Sequence, residues 1–569
     1  MRFKTRSLAF ILCAALLLSL CACQKAPAQQ ERPALTLEET KQKEAVSLPD
    51  TLAGGGYFEQ VAREELSFAD MALAPITLDD FKPYAQALTD AAASGSREAF
   101  HRACVQAEQM LTDMDTAGTL FDLESDRDAS DQARSAQASA QRQDYYDASD
   151  LYDQTLSQIA AGENAKMLQK EFLSWQIELF ESYDEESSEQ GLALTDQESQ
   201  FIRQYALDMS QDEVDVDAIA ELYLELVDVR AKIADLAGAP NYSDYAYSAY
   251  YSRDYTPADA QKIWKTAKED FAPILHQYSD VIGQALRESG VDRTLDCSDT
   301  AILDALRYGA ARMSPEIRTA CEYLLRNELY DIAYSEEKLS TGYTAYLYSY
   351  EIPYIFNCPY GSHLDYADMF HEFGHWLAGF YHTSDARYGV ADYDLSELQS
   401  QGMEIMFLQF YDELFADDAP LLRAEVLLNL VYSVVTGAMY DEFQQRVYLE
   451  PGLTKQRLLE IYREVYASYG FEAYDGYEYA WIDVIHNFQQ PLYYISYAVS
   501  AIPALELYVQ SVQSPRDAMD TYLRAASMGD EEYYLTDVLR ETGLSNSMKS
   551  PIGDVIAQKL VETGAFDIS

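Results

Sequence analysis

Cysteine is scarce and unpatterned: there are seven in 569 residues, two of them inside an N-terminal apolar run, and no C-x-x-C. That excludes a disulfide-knit scaffold, though not an occasional bridge. Histidine is as rare, again seven, so each one that could bind a metal stands out. Basic residues are the third shortage, since 41 Lys and Arg face 95 Asp and Glu for a net charge of −54. A surface of that sign repels phosphate backbones and anionic headgroups, which argues against nucleic acid as a partner, while it favours solubility and attracts cationic peptides. The apolar run 7–22, 16 residues long, is short for a membrane span. Placed after Arg2, Lys4 and Arg6, it reads as a secretory signal.

The chemistry concentrates in Asp365-Tyr-Ala-Asp-Met-Phe-His-Glu-Phe-Gly-His-Trp-Leu-Ala-Gly-Phe380. Wound at 3.6 residues per turn, Met369, Phe373, Trp376 and Phe380 share one arc, and His371, Glu372 and His375 fall on another. The helix therefore has a core face and a reactive face. Residues four apart are neighbours on a helix, so both imidazoles reach one tetrahedral ion, with Glu372 beside the water on that ion. Downstream, Asp394-Leu-Ser-Glu-Leu-Gln-Ser-Gln-Gly-Met-Glu404 carries Glu397, Ser400, Gln401 and Glu404 at i, i+3, i+4 and i+7, the polar face of a second helix. A carboxylate from that face completes a two-histidine, one-carboxylate catalytic zinc site with an open fourth position.

HEFGH followed by E-x-x-S-Q-x-x-E resembles the thimet oligopeptidase and oligoendopeptidase F family of zinc metallopeptidases. The resemblance implies one zinc ion, held by His371, His375 and Glu397, the last lying 22 positions after His375. Two further stretches carry it. A helix over 215–236 leads into Leu236-Ala-Gly-Ala-Pro-Asn-Tyr-Ser-Asp-Tyr-Ala246, similar to the family's LAG-x-x-NYxDYA. In Trp481–Ser500, His486 matches the family's substrate-contacting histidine and Tyr497 its transition-state tyrosine, with Tyr494 as a neighbour.

Around these motifs the chain divides as 1–22 signal peptide, 23–56 flexible tether, 57–205 N-terminal helical lobe and 206–569 catalytic domain. Leu20-Cys-Ala-Cys23 resembles a bacterial lipoprotein cleavage box, which implies a lipid on Cys23 and an extracytoplasmic protein anchored to the cell membrane. The Pro-, Gln- and Gly-rich tether shows no apolar periodicity. Over 500 residues remain, more than one core usually holds. Thr77 and Thr256 open capped helices, and Leu- and Tyr-rich helices are expected over 418–448 and 454–468. Thr344–Cys358 reads as an edge strand because of Pro353, with Gly342 and Tyr343 where the family has a glycine-containing loop. Asp394 and Glu404 are candidates to orient a ligating histidine. His363 reads as a solvent-loop residue.

The expected fold is mainly α, a two-lobed helical zinc peptidase with a small β-sheet near the metal and, by the resemblance, a deep central channel. The expected activity is zinc-dependent oligoendopeptidase cleavage of short peptides, with Glu372 as base. Two rivals stand beside it: a dipeptide-releasing carboxypeptidase of similar fold, and a non-catalytic peptide-binding lipoprotein.

Overall fold

The computed structural model describes residues 50–569 except 60, 62, 64, 72, 184, 210, 212, 384–390, 551 and 569. The signal, Cys23 and the tether up to residue 49 lie outside the described residues. From Leu52 the backbone is already held, donating to the carbonyl of Arg312 at 2.7 Å, and Ala53 donates to Met313 at 3.0 Å and is buried. The segment expected to be free to residue 56 therefore docks earlier.

The molecule is mostly helical, with apolar side chains in two clusters. The smaller holds Phe81, Leu88, Phe100, Leu111, Tyr152, Leu156 and Phe180, contributed by helices Leu78–Ser94, Arg97–Asp126, Gln132–Ala161 and Ser174–Glu181. Each starts where a polar side chain or capping box can hold free N–H groups: Ser96 accepts from Ala99, and Asp131 from Ala133 and Arg134. The stretch 128–143, dominated by Ser, Ala, Gln and Asp, is a turn and the start of the Gln132–Ala161 helix, whose Arg142 pairs with Asp115 and Asp122. The helix Glu185–Met209 belongs to the larger cluster: Tyr205 stacks on Phe488 at 3.8 Å and donates to the Ile482 carbonyl at 2.9 Å. The smaller cluster ends at Phe180, while Leu120 and Leu123 of the Arg97–Asp126 helix already pack in the larger one.

In the larger cluster, helices Val216–Leu236, Ala419–Leu449 and Lys455–Ser468 appear within a residue or two of where periodicity puts them, and Pro257–Thr266 starts at its Thr256 cap and passes through a π-helical turn, Ala267–Phe271, into Ala272–Ser289. Ala419–Leu449 and Ile495–Gln513 cross closely at Gly437, where a Cβ would sit 2.6 Å from the Tyr494 carbonyl.

The sheet has three short strands: β1 (Tyr330–Asp331), β2 (Gly342–Leu347) and β3 (Ile352–Asn357), in the order β1-β3-β2, with β2 antiparallel and β1 parallel to β3. Pro353 therefore lies in the central strand, contrary to the expected edge. It is tolerated because β1 pairs only with Ile355 and Phe356, so no second neighbour needs its missing N–H. Its carbonyl accepts from Trp376 Nε1 at 3.0 Å, which ties β3 to the Leu364–Tyr381 helix. Tyr343, in β2, donates to Asp126 at 2.7 Å and joins the sheet to the N-terminal helices.

Candidate active site

Two helices build the site. In Leu364–Tyr381, Met369, Phe373, Trp376 and Phe380 are buried on the core face, as their spacing predicts. Asp365, in the first turn, accepts from the backbone N–H groups of Tyr360 and Ser362 at 2.8 and 2.9 Å and so pins the loop feeding the helix. The second helix, Tyr393–Phe407, is capped by Asp392, which accepts from Leu395 N–H at 2.8 Å. The two touch at Gly374, where a Cβ would lie 2.5 Å from Ser400 Cα, so only glycine admits this approach. That contact carries Glu397 up to the histidines. Gly379 faces Pro353 and Tyr346, 3.3 Å from where its Cβ would be, and so lets the helix lie close to the sheet.

His371, His375 and Glu397 converge, each offering a ligand atom within 4.8 Å of the others. Glu397 Oε2 lies 3.6 Å from His371 Nε2 and 4.0 Å from His375 Nε2. Ligands about 2.0–2.1 Å from a tetrahedral zinc stand about 3.3 Å apart, so the set needs only slight contraction to hold one ion. The far ring nitrogens are already engaged, His371 Nδ1 with Glu404 at 2.7 Å and His375 Nδ1 with Ser396 Oγ at 3.0 Å, which aims both Nε2 atoms at the shared point. Burial pushes the His375 imidazole well below its ordinary pKa and keeps it neutral, the state that ligates. The donor set fits a zinc ion.

Glu397 is fully buried, with Tyr493 donating to its Oε1 at 2.6 Å and Ser400 approaching Oε2 at 3.3 Å. Glu372 is held from the sheet, where Thr344 of β2 donates to its Oε2 at 2.7 Å. Burial raises the Glu372 carboxyl to about 7, against the opposing pull of His371 and Thr344. A pKa near neutrality suits a group that must both take and return a proton.

His486 and Tyr497 are both buried, and Tyr497 Oη lies 3.4 Å from His486 Nε2. Tyr497 lines the same cavity as His371, Glu372 and Glu404. Tyr494 packs edge-on against His486 at 4.9 Å. The cluster thus brings all six expected residues into one region. Sequence reasoning did not reach Thr344, Ser396 or Tyr493, which lie in no motif of their own. Of the two carboxylates expected to orient a histidine, Glu404 does so; Asp394 instead accepts from Tyr255 Oη at 2.7 Å and lies 3.5 Å from Arg253 Nε. Arg253 also donates to the Leu492 carbonyl at 3.1 Å and to Ser496 Oγ at 2.9 Å, and so ties the Glu397 helix to the Tyr493–Tyr497 segment. His363 does lie in the loop before the Leu364–Tyr381 helix, but its side chain turns away from solvent and pairs with Asp292 and Glu425, with Nε2 2.6 Å from Glu425.

A mostly helical body around paired helices with a His-His-Glu cluster defines a peptidase-like fold, and the solved structures narrow it to that of the oligoendopeptidase F structures. A 3.1 Å X-ray structure assigned as an oligoendopeptidase F matches with a TM-score of 0.70 at 18% identity, covering 88% of this chain and 98% of that one. PZ peptidase A with an inhibitor matches at 0.66 and 19%, covering 88% and 99%. A protein of Bacillus anthracis str. Ames, also assigned as an oligoendopeptidase F, matches at 0.64 and 16%, covering 88% and 98%. By sequence, no family model and no curated protein matches the chain. At such identities the likeness speaks for the fold, and the site must speak for the chemistry.

Proposed function

We propose that the protein is a zinc-dependent oligoendopeptidase that cleaves short peptides outside the cytoplasm, anchored by a lipid on Cys23. The observation that carries the activity is the placement of Glu397 Oε2 within 3.6 and 4.0 Å of the two imidazole Nε2 atoms, with Glu372 lining the same cavity as His371. The peptidase structures that share the fold support the same reading. His371, His375 and Glu397 would hold the ion, which when bound supplies a Lewis acid and a water of lowered pKa. Glu372, steadied by Thr344, accepts the proton of the attacking water and delivers it to the departing amine nitrogen. Tyr497 presents a phenol to the developing oxyanion, and His486 holds the substrate beside it.

Mass spectrometry of a mixed peptide library digested with the zinc-loaded protein tests this reading. Internal cleavage is expected, lost in Glu372→Gln with zinc still bound; release of C-terminal dipeptides alone, or no cleavage, contradicts it. The anchor rests on Leu20-Cys-Ala-Cys23 and the charged, apolar leader before it. Cys23→Ala should abolish cofractionation with membranes, and unchanged cofractionation would exclude the lipid.

A further inference from the structure

Asp368 lies one helical turn before the histidine pair, at i−3 from His371 and i−4 from Glu372, and so on the reactive face of the Leu364–Tyr381 helix. It lines the same cavity as His371, Glu372, Glu404 and Tyr497, and none of the residues lining that cavity is Lys or Arg. Its Oδ2 is sealed from solvent and has no hydrogen-bond partner among the described residues. Neighbouring carboxylates behave differently: Glu372 has Thr344, Glu404 has His371 and Asp365 has two backbone N–H groups. The residue as a whole is only partly enclosed and lines the cavity, but a shielded carboxylate oxygen without a donor is costly, and such groups persist where a ligand completes them.

We propose that Asp368 is a specificity-determining residue that receives a cationic N–H group of the substrate, either a Lys or Arg side chain or the terminal ammonium of a short peptide. The inference rests on the peptidase reading above. Geometry sets the position: one helical turn is about 5.4 Å, and an extended peptide advances about 3.3 Å per residue, so Asp368 meets a group one or two residues from the scissile bond. Burial, with Asp365 and Glu404 nearby, pushes the Asp368 carboxyl well above the usual range, and an incoming cation draws it back to the ionised state. The strongly acidic chain points the same way, since it concentrates cationic peptides near its surface.

The test compares kcat/KM of the zinc-loaded wild-type protein on matched peptides carrying Arg or citrulline, and free or acetylated N-termini, at each of the two positions either side of the cleaved bond. At one position the cationic member should be preferred about tenfold or more, and the Arg and N-terminal arms show which source supplies the cation. The preference should shrink to within about threefold in Asp368→Asn, an isosteric change. Equal rates for charged and neutral members in the wild type overturn the proposal without use of the variant. A preference that survives in Asp368→Asn overturns it as well, and moves the selecting charge to another carboxylate. Failure of the wild type to cut any peptide would count against the peptidase reading itself, and is distinguishable from either result.

Discussion

Tyr493→Phe removes one oxygen and leaves the ring, so it isolates the bond that aims the third ligand. The phenol donates to Glu397 Oε1 at 2.6 Å inside a fully buried site, and a second donor near this carboxylate, Ser400, stands at 3.3 Å on the oxygen that faces the histidines. A hydrogen bond to a buried carboxylate contributes about 1.5–3 kcal/mol. Part of that is recovered when the carboxylate rotates towards the ion, and changes of this kind typically cost about 10–100-fold in metal affinity or activity, or about 1.4–2.7 kcal/mol. We therefore expect zinc affinity, measured by competition with a chromophoric chelator at neutral pH, to fall by about 10–100-fold. Peptide hydrolysis at limiting zinc should fall with it, and saturating zinc should restore much of the rate. A dissociation constant within about twofold of wild type would refute the reasoning and leave Glu397 oriented by the helix backbone alone.

Tyr497→Phe should lower kcat by about 10²–10³ with KM and zinc content unchanged, because a donor aimed at the oxyanion acts mainly in the transition state; a change confined to KM would place Tyr497 in packing only. Combined with a His486 substitution, from which Tyr497 Oη stands 3.4 Å, the loss should be less than additive, and additive losses would separate the two roles. Gly374→Ala should destabilise the fold by about 1–3 kcal/mol, seen as a lower denaturation midpoint at constant m, since its Cβ would meet Ser400 Cα at 2.5 Å; a variant as stable as wild type would contradict the close helix contact. Burial alone would depress His363, but its hydrogen bonds to Asp292 and Glu425 outweigh that and raise its pKa from 6.5 to about 10. A raised pKa means the stabilisation is complete below about pH 6.5 and is lost as pH rises through about 10, so wild type should lose its stability advantage over His363→Gln across that window; an advantage that stays flat from pH 7 to 10 would exclude the buried ion pairs.

What the sequence determined by itself is what depends on near neighbours. Helix starts were legible because caps and their partners lie three residues apart: Thr256, read as the opening of a helix, is found paired with Asp259. The two faces of the Leu364–Tyr381 helix follow from 3.6 residues per turn, so the paired histidines, Glu372 and the buried aromatic arc could be read before any fold was known. Glu397, His486 and Tyr497 were reached through family resemblance, and the fold then drew them together. Thr344, Ser396 and Tyr493 were not legible, because their roles depend on distance across the chain: Tyr493 meets Glu397 from 96 positions away, and Thr344 meets Glu372 from 28. Pro353 misled for a similar reason, since whether a strand is an edge depends on where its partners stop, here at Ile355. Tertiary structure alone decided that Gly374 would let two helices close to contact, and that contact sets Glu397 beside the histidines. It also decided that Asp368, an ordinary helix acid by its sequence, would line the cavity with its Oδ2 shielded and without a donor among the described residues.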